Sequence, residues 1–454
     1  MPHFLEERIY HRKMTRRDFL WLTSVSTASV VVTGCAINPV TGKPQLMLMS
    51  ENQEIQLDKE HSPHQFSTDY GPLQDQPLND YISEVGHKMA DFSHRPQMPY
   101  SFRGVNATYV NAYAFPGGSI AATRGILIAL QNEAELAALL GHELGHVNAR
   151  HTASRMSKGM LIGVGLALGT AVVSTSEKYG QLAQLAVLLG QFGAGLLLAH
   201  YSRDDERQAD ALGMQYMTKA GHSPEGMVGL MELLNTISKH KPSVVETMFA
   251  THPMSSERYQ TAMTAADTTY QSMKTLPVNR DRYMEKTAKL RRDKKAIEAM
   301  QQGETKMATE QFRPASRQFK KALKHAPNDY TALAMMTKCQ LAQEKPNEAR
   351  QYAMQAKQVY PAEAQAHHLN GIANMMKNQF DAAYQDFDTY EQMLPGNPNT
   401  VFLKGTVLEG MQNKPAAAAE YNRYLKMSRQ GGQAEYAAQR LTDWGYMKPP
   451  PKRK

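Results

Sequence analysis

The sequence contains His142-Glu143-Leu144-Gly145-His146, two histidines four residues apart with a carboxylate directly after the first. On a helix the two imidazoles lie one turn apart on the same face and converge on a single ion. Glu143 projects from the neighbouring position, where it can reach a water without binding the ion itself. Metal-assisted hydrolysis needs that separation of roles. The ion lowers the pKa of the water toward neutrality, and the carboxylate takes its proton and hands it to the leaving amine. The motif alone also arises by chance, so a third ligand decides its meaning.

A candidate lies in the run Tyr201-Ser202-Arg203-Asp204-Asp205-Glu206-Arg207-Gln208-Ala209-Asp210, where Glu206 and Asp210 share one face a helical turn apart. A carboxylate from this second helix completes a set of two histidines and one glutamate with an open fourth position, as catalytic zinc requires. Asp210 then accepts the spare N–H of one histidine and fixes its tautomer. The expectation is one Zn²⁺ per chain, held by His142, His146 and Glu206. Glu143 is the expected base, with Asp210 in support.

Two helices must carry these groups. Leu136 to Arg150 is rich in alanine and leucine, and Glu133 and Glu135 suit the positive end of its first turn. Ahead of it, Asn111 to Arg124 places β-tolerant residues on either side of Pro116-Gly117-Gly118, which predicts a strand pair with a tight turn. Two readings are open: a plain structural hairpin, or an edge over the cleft to which an extended substrate adds as a further strand. Between the metal motifs, Gly159 to Val173 and Tyr179 to Ala199 carry no charge. They read as helices packed in the same domain, with a membrane-dipping hairpin as the alternative.

The amino terminus reads as an address. Arg12, Lys13, Arg16 and Arg17 precede an uncharged stretch from Phe19 to Gly34, the layout of an export signal. Thr15-Arg16-Arg17-Asp18-Phe19-Leu20 also resembles a twin-arginine signal, and Met14 stands where such a signal would begin. Val32-Thr33-Gly34-Cys35 resembles the bacterial lipoprotein cleavage box, which makes Cys35 the lipidation candidate. Ala36 after it implies the outer membrane, with the body in the periplasm. An acyl anchor fits a chain with no permanent transmembrane helix.

A chain of 454 residues is expected to form two or three domains, and 42% hydrophobic with 21% charged residues is a globular composition. The net charge of +8 lacks interleaved aromatics, which argues against nucleic acid as a partner. Cys35 and Cys339 each have a separate explanation, so no disulfide is expected.

The second half is periodic. Pro327, Pro361 and Pro395 recur every 34 residues, as do Ala315, Ala349, Ala383 and Ala417, and Phe319, Ala353, Phe387 and Tyr421. Thirty-four is the tetratricopeptide period: small residues let paired helices approach, and proline ends the second helix. About four units over 302–445 are expected to form a concave surface that holds a peptide or a partner protein. Residues 266–301, helix-favouring from Arg280 to Met300, read as a connecting segment that lets the repeats dock on the first half. Cys339 falls inside a repeat helix as a small buried hydrophobe.

The joined motifs H-E-L-G-H-V-x-A-R-H and S-R-x-x-E-x-x-A-D resemble the HtpX and BepA class of zinc metallopeptidases. The resemblance spans residues 38 to 265, including Asn38-Pro39-Val40-Thr41-Gly42 and Asn111 to Gly118. It is closest to the periplasmic branch that carries tetratricopeptide repeats. It implies His142, His146 and Glu206 as ligands and Glu143 as base. It further implies that His252, in Thr251-His252-Pro253, can approach the open metal position and hold the enzyme latent. For Arg258 two roles are open, steadying a carboxylate or polarising the scissile carbonyl. The implied substrates are unfolded or misfolded envelope proteins, and the implied partner is the outer-membrane assembly machinery. A chaperone or adaptor with a largely latent protease is the competing function. The expected architecture is mainly α: a signal over 1–34, a zincin-like α+β metalloprotease domain with a small sheet over 35–265, a connecting segment over 266–301, α-helical tetratricopeptide repeats over 302–445, and a basic disordered tail over 446–454.

Overall fold

The structure, a computed structural model, describes residues 35–158, 201–239, 252–253 and 255–448. The expected export signal, the apolar runs between 159 and 199, the Cys35 side chain and most of the basic tail lie outside the described residues. Strands β1 (Cys35–Ile37) and β2 (Pro44–Leu46) form an antiparallel hairpin. Its turn is built by Asn38, whose side chain accepts from the amides of Val40 and Thr41 and donates to Ala149 O at 3.1 Å. The Asn-Pro-Val-Thr-Gly segment therefore pins the hairpin to the end of the metal helix.

Helices α1 (Glu51–Thr68) and α2 (Gln76–Ala90) precede a three-stranded sheet of β3 (Ser101–Val105), β4 (Ala112–Ala114) and β5 (Ser119–Thr123). The order is β3-β5-β4, with β3 parallel and β4 antiparallel to β5. The predicted strand pair is thus β4 and β5, and Gly118 at φ +106° makes their turn. A short α3 (Arg124–Ala129) leads into α4 (Glu133–Asn148), the helix of the two histidines. Asn132 caps α4 by accepting from Glu135 N, and all sixteen of the helix residues are buried. Helices α5 (Arg203–Lys219), α6 (Glu225–Lys239) and α7 (Ser256–Asp267) complete this half.

The segment expected as one connecting helix is broken in two places. It forms α8 (Arg280–Lys286), α9 (Ala288–Arg292) and α10 (Lys294–Ala308), divided at Thr287 and Asp293. The Thr287 hydroxyl bonds back to Tyr283 O and also accepts from Arg291 Nε, so its side chain competes at the break. Helix α10 pairs with α11 (Phe312–His325) as the first repeat, so the expected boundary at residues 301–302 falls inside a helix. Three more pairs follow: α12 (Tyr330–Ala342) with α13 (Pro346–Val359), α14 (Gln365–Met376) with α15 (Phe380–Met393), and α16 (Pro398–Gly410) with α17 (Lys414–Met427). A last helix, α18 (Gly432–Asp443), covers the end.

The repeats share one local geometry. Glu310, Glu344, Asn378 and Gln412, spaced by 34, are all left-handed at φ +55° to +61° and turn the first helix of each pair into the second. Within the pairs, Gly303, Gly371 and Gly405 lie against the rings of Phe319, Phe387 and Tyr421. The second unit has a reciprocal choice at the same columns, Thr337 with Ala353.

The two halves are joined face to face. Arg124 pairs with Asp329 at 2.6 Å, Ser67 with Glu363, and Tyr360 OH donates to Pro72 O at 3.2 Å. A single apolar core runs from Tyr70 and Leu73 through the sheet and α4 to Phe387 and Val407 in the repeats. The fold is mainly helical, with small sheets in the first half. No helix among the described residues is long and apolar enough to cross a membrane.

Candidate metal centre

Helices α4 and α5 meet through glycine. A Cβ on Gly213 would stand 2.8 Å from the backbone nitrogen of His142, and one on Gly145 would stand 2.9 Å from Ala209 O. With hydrogen in those places the two backbones touch, and the face of α5 that carries Glu206 and Asp210 is laid against the histidine face of α4. The capping box of Ser202 and Asp205 fixes where α5 begins, one residue short of a full turn before Glu206.

One ligand atom from each of His142, His146, Glu206 and His252 lies within 4.8 Å of the others, and all four residues are buried. Nε2 of His146 is 3.1 Å from Nε2 of His142, and Glu206 Oε1 is 3.4 Å from His146 Nε2. His252 arrives from beyond α6, its Nδ1 3.0 Å from Glu206 Oε1. Asp210 accepts from His142 Nδ1 at 2.8 Å, which fixes the tautomer that leaves Nε2 free. Arg258 donates to both Asp210 oxygens at 2.7 Å and pairs with Glu206 Oε2 at 2.7 Å. Of its two expected roles, this geometry is that of a group that steadies carboxylates.

Electrostatics follow from burial. Burial raises the Glu143 carboxyl, against the pull of His252 and His142. Burial also pushes Glu206 upward, but His252, His146 and His142 outweigh it and hold the carboxyl well below its ordinary range. For Asp210 the cost of burial is overcome by Arg258 and His142. Desolvation keeps His146 neutral, the form that binds a metal.

The residues fit a divalent ion. Three imidazoles and a carboxylate are a donor set suited to zinc. Both oxygens of Glu143 are buried without a hydrogen-bond partner, and Oε1 lies 3.7 Å from His252 Nε2. A buried carboxylate left unpartnered is costly unless something occupies the space in front of it.

Every site residue expected in the two metal motifs and in the Thr-His-Pro segment meets here. Other contributors were not foreseen. His151 lies with Nδ1 2.8 Å from His146 Nδ1, and its Nε2 is 2.9 Å from Gln208 Oε1. Five positions past His146, it is off the histidine face of any continuous helix. Arg150 at φ +57° ends α4 and folds His151 back. Tyr201 stacks on His146 at 3.8 Å between centroids, with Arg155 over its other side at 3.7 Å. His151 is the last residue of the quoted H-E-L-G-H-V-x-A-R-H and Tyr201 opens the run that holds Glu206, and those places were the available signal.

Comparison with known proteins agrees with this arrangement. A family model described as peptidase family M48 matches residues 77–266, and one described as coatomer epsilon subunit matches residues 291–388. The chain is 29% identical over 202 residues to the beta-barrel assembly-enhancing protease of Yersinia pestis, covering 44% of this chain and 40% of that protein. It is 33% identical over 162 residues to metalloprotease YcaL of Escherichia coli (strain K12), covering 36% of this chain and 60% of the relative. The match thus spans well under half the length of the assembly-enhancing protease. Among solved structures, YrrB, described as a tetratricopeptide protein with an unusual peptide-binding site, is similar at TM-score 0.31 and 15% identity, over 45% of this chain and 97% of that one.

Proposed function

The chain belongs to peptidase family M48 through residues 77–266, and from that premise we propose that it is a zinc endopeptidase acting on unfolded or misassembled envelope proteins. The observation that carries this reading is the convergence of His142, His146, Glu206 and His252 beside the unpartnered carboxylate of Glu143. His142, His146 and Glu206 are the proposed ligands. Zinc, when bound, supplies a water of lowered pKa and polarises the scissile carbonyl. Glu143 takes the proton of the attacking water and returns it to the leaving amine, and its burial suits it to hold that proton between the two steps. Asp210 and Arg258 hold His142 and Glu206 in place.

Strand β4 supports an extended substrate. Thr123 N donates to Asn111 O and Phe115 N to Ser119 O, so by antiparallel alternation Ala112 and Ala114 turn their N–H and C=O groups away from β5. β4 is the last strand of the sheet, and although Ala112 to Ala114 are buried in this structure, the outward N–H and C=O groups are those an entering substrate strand would pair with by main-chain bonds, which suits unfolded chains of varied sequence. The likeness to the beta-barrel assembly-enhancing protease, the repeats and the Cys35 motif favour a lipid-anchored protein of the bacterial periplasm, with the outer-membrane assembly machinery as partner.

Substituting Glu143 by Gln should retain one zinc per chain and lower cleavage of unfolded casein by about 10²-fold or more. Undiminished cleavage by that variant would remove the reading. A second function, a chaperone or adaptor with a mostly latent site, is favoured by the position of His252 among the ligands. Under it, the Glu143 variant still restores the phenotype of a deletion strain.

A further inference from the structure

Resting on the reading of β4 as the substrate edge, we propose that the repeats belong to the active-site framework: Asp69, Glu304 and Lys338 position β4, so the repeat module sets substrate affinity from behind the strand. The loop entering β4 is gripped from the repeats. Gln301 Nε2 donates to Thr108 O at 2.7 Å, Glu304 accepts from the Thr108 hydroxyl, and Thr331 Oγ1 donates to Asn106 O at 3.3 Å. From the other side, Gly125 is so close that a Cβ there would stand 2.1 Å from Thr108 O. The exit of β5 is held as firmly, by Arg124 on both oxygens of Asp329 at 2.6 and 3.2 Å.

Beneath the strand, Asp69 closes α1 with a carboxylate that is 2% exposed. It accepts from Tyr113 OH at 2.5 Å, Tyr109 OH at 2.8 Å and Gln65 Nε2 at 3.0 Å. Tyr113 is the middle residue of β4, and its side chain leaves the sheet on the face opposite Ala112 and Ala114. The charge facing Asp69 comes from the repeats. Lys338 is buried with Nζ 3.4 Å from Tyr70 OH and 4.5 Å from the ring centre, within the field of Asp69, Glu304 and Glu363. Burial pushes the Glu304 carboxyl up to about 7 and the Lys338 ammonium down to about 8, as expected for groups held at a dry seam. The side-chain hydrogen bonds of Thr108, Tyr109 and Tyr113 therefore end on Asp69 or on a repeat helix, while α4 and the Phe66 ring pack against β4.

The test uses the full zinc-loaded chain with Thr108→Val, Tyr113→Phe, Glu304→Gln and Lys338→Met, plus Lys338→Arg as a conservative variant. Amide hydrogen exchange at Ala112 to Phe115 should rise about tenfold, with exchange in α17 unchanged and zinc content intact. In cleavage of labelled unfolded casein, KM should rise about 5- to 10-fold with kcat within about twofold, and Lys338→Arg should restore most of the loss. Unchanged exchange in β4 with unchanged KM would overturn the proposal, as would a uniform rise in exchange across the whole chain. The exchange measurement needs no turnover. Loosening of β4 in a chain that never cleaves would sink the peptidase reading and leave the positioning claim standing. Thr108→Val and Glu304→Gln carry the test if Lys338→Met does not fold.

Discussion

Nδ1 of His252 lies 3.3 Å from Nε2 of His142, at hydrogen-bond range between two groups that cannot both offer lone pairs to one another without an ion or a proton between them. If His252 fills the fourth metal position, removing it opens the site. His252→Ala should keep one zinc per chain on the remaining three ligands and raise cleavage of unfolded casein by about tenfold or more. Loss of zinc together with activity would assign His252 to permanent binding instead, and metal analysis beside the assay separates the two.

The glycine crossing predicts a second outcome. Gly213→Val places side-chain carbon where the backbone of His142 now stands, and α4 and α5 must separate. Zinc stoichiometry should fall far below one while the helical circular dichroism persists. A fully loaded Gly213→Val protein would show that the two helices do not need this contact.

Asp210 is expected to act through His142. Asp210→Asn leaves an acceptor in place but faces Arg258 with a neutral amide and loses two charge-assisted bonds. Zinc affinity should weaken about 10- to 100-fold, read by competition with a chromogenic chelator. An affinity within twofold of the native chain contradicts this role.

The seam carries a stability prediction. Arg124 and Asp329 are 5% and 8% exposed, so Arg124→Met strands a buried carboxylate at a cost of about 3–5 kcal/mol. The urea midpoint should drop accordingly, as a single transition in which metal-site and repeat probes move together. Two separated transitions would mean that the halves are thermodynamically independent.

The same seam is sensitive to pH. Burial raises Glu304 from its ordinary value to about 7, so the folded chain holds its proton more tightly than the unfolded one. The stability this contributes is complete below about pH 4.5 and is lost as pH rises through 7. Between pH 5 and 7.5, the thermal midpoint of the native chain should therefore lose ground relative to Glu304→Gln. Lys338, lowered to about 8, changes its contribution above that window. Parallel midpoints across the range would place the Glu304 carboxyl in water.

Much of the site was legible because its chemistry is local in sequence. His142, Glu143 and His146 lie within one helical turn and a half, and Glu206 and Asp210 within another, so spacing alone put each group on one face. The repeats were legible because 34-residue columns record the same packing four times. What spacing could not express was the seam. Asp69 and Thr108 fall in no motif, and Glu304 and Lys338, though one 34-residue period apart, share a column that runs on to Ile372 and Thr406 with no common residue type, so their pairing depends on how two modules meet in space. His151 was hidden by a single left-handed residue, and the connecting helix was overestimated because a threonine side chain can interrupt a segment of good propensity.

The continuous core has a consequence for how such a chain could change over time. A peptidase and a repeat array held by a flexible tether can be recombined freely, each half keeping its own surface. Here Tyr70, Leu73 and Phe387 lie in one apolar body, and Gly71 leaves room for the carboxylate of Glu363 across the seam. Exchanging the array for a foreign one would bare that body to solvent. Descent with both halves together, altering the outer helices and keeping the inner ones, is the path this architecture leaves open.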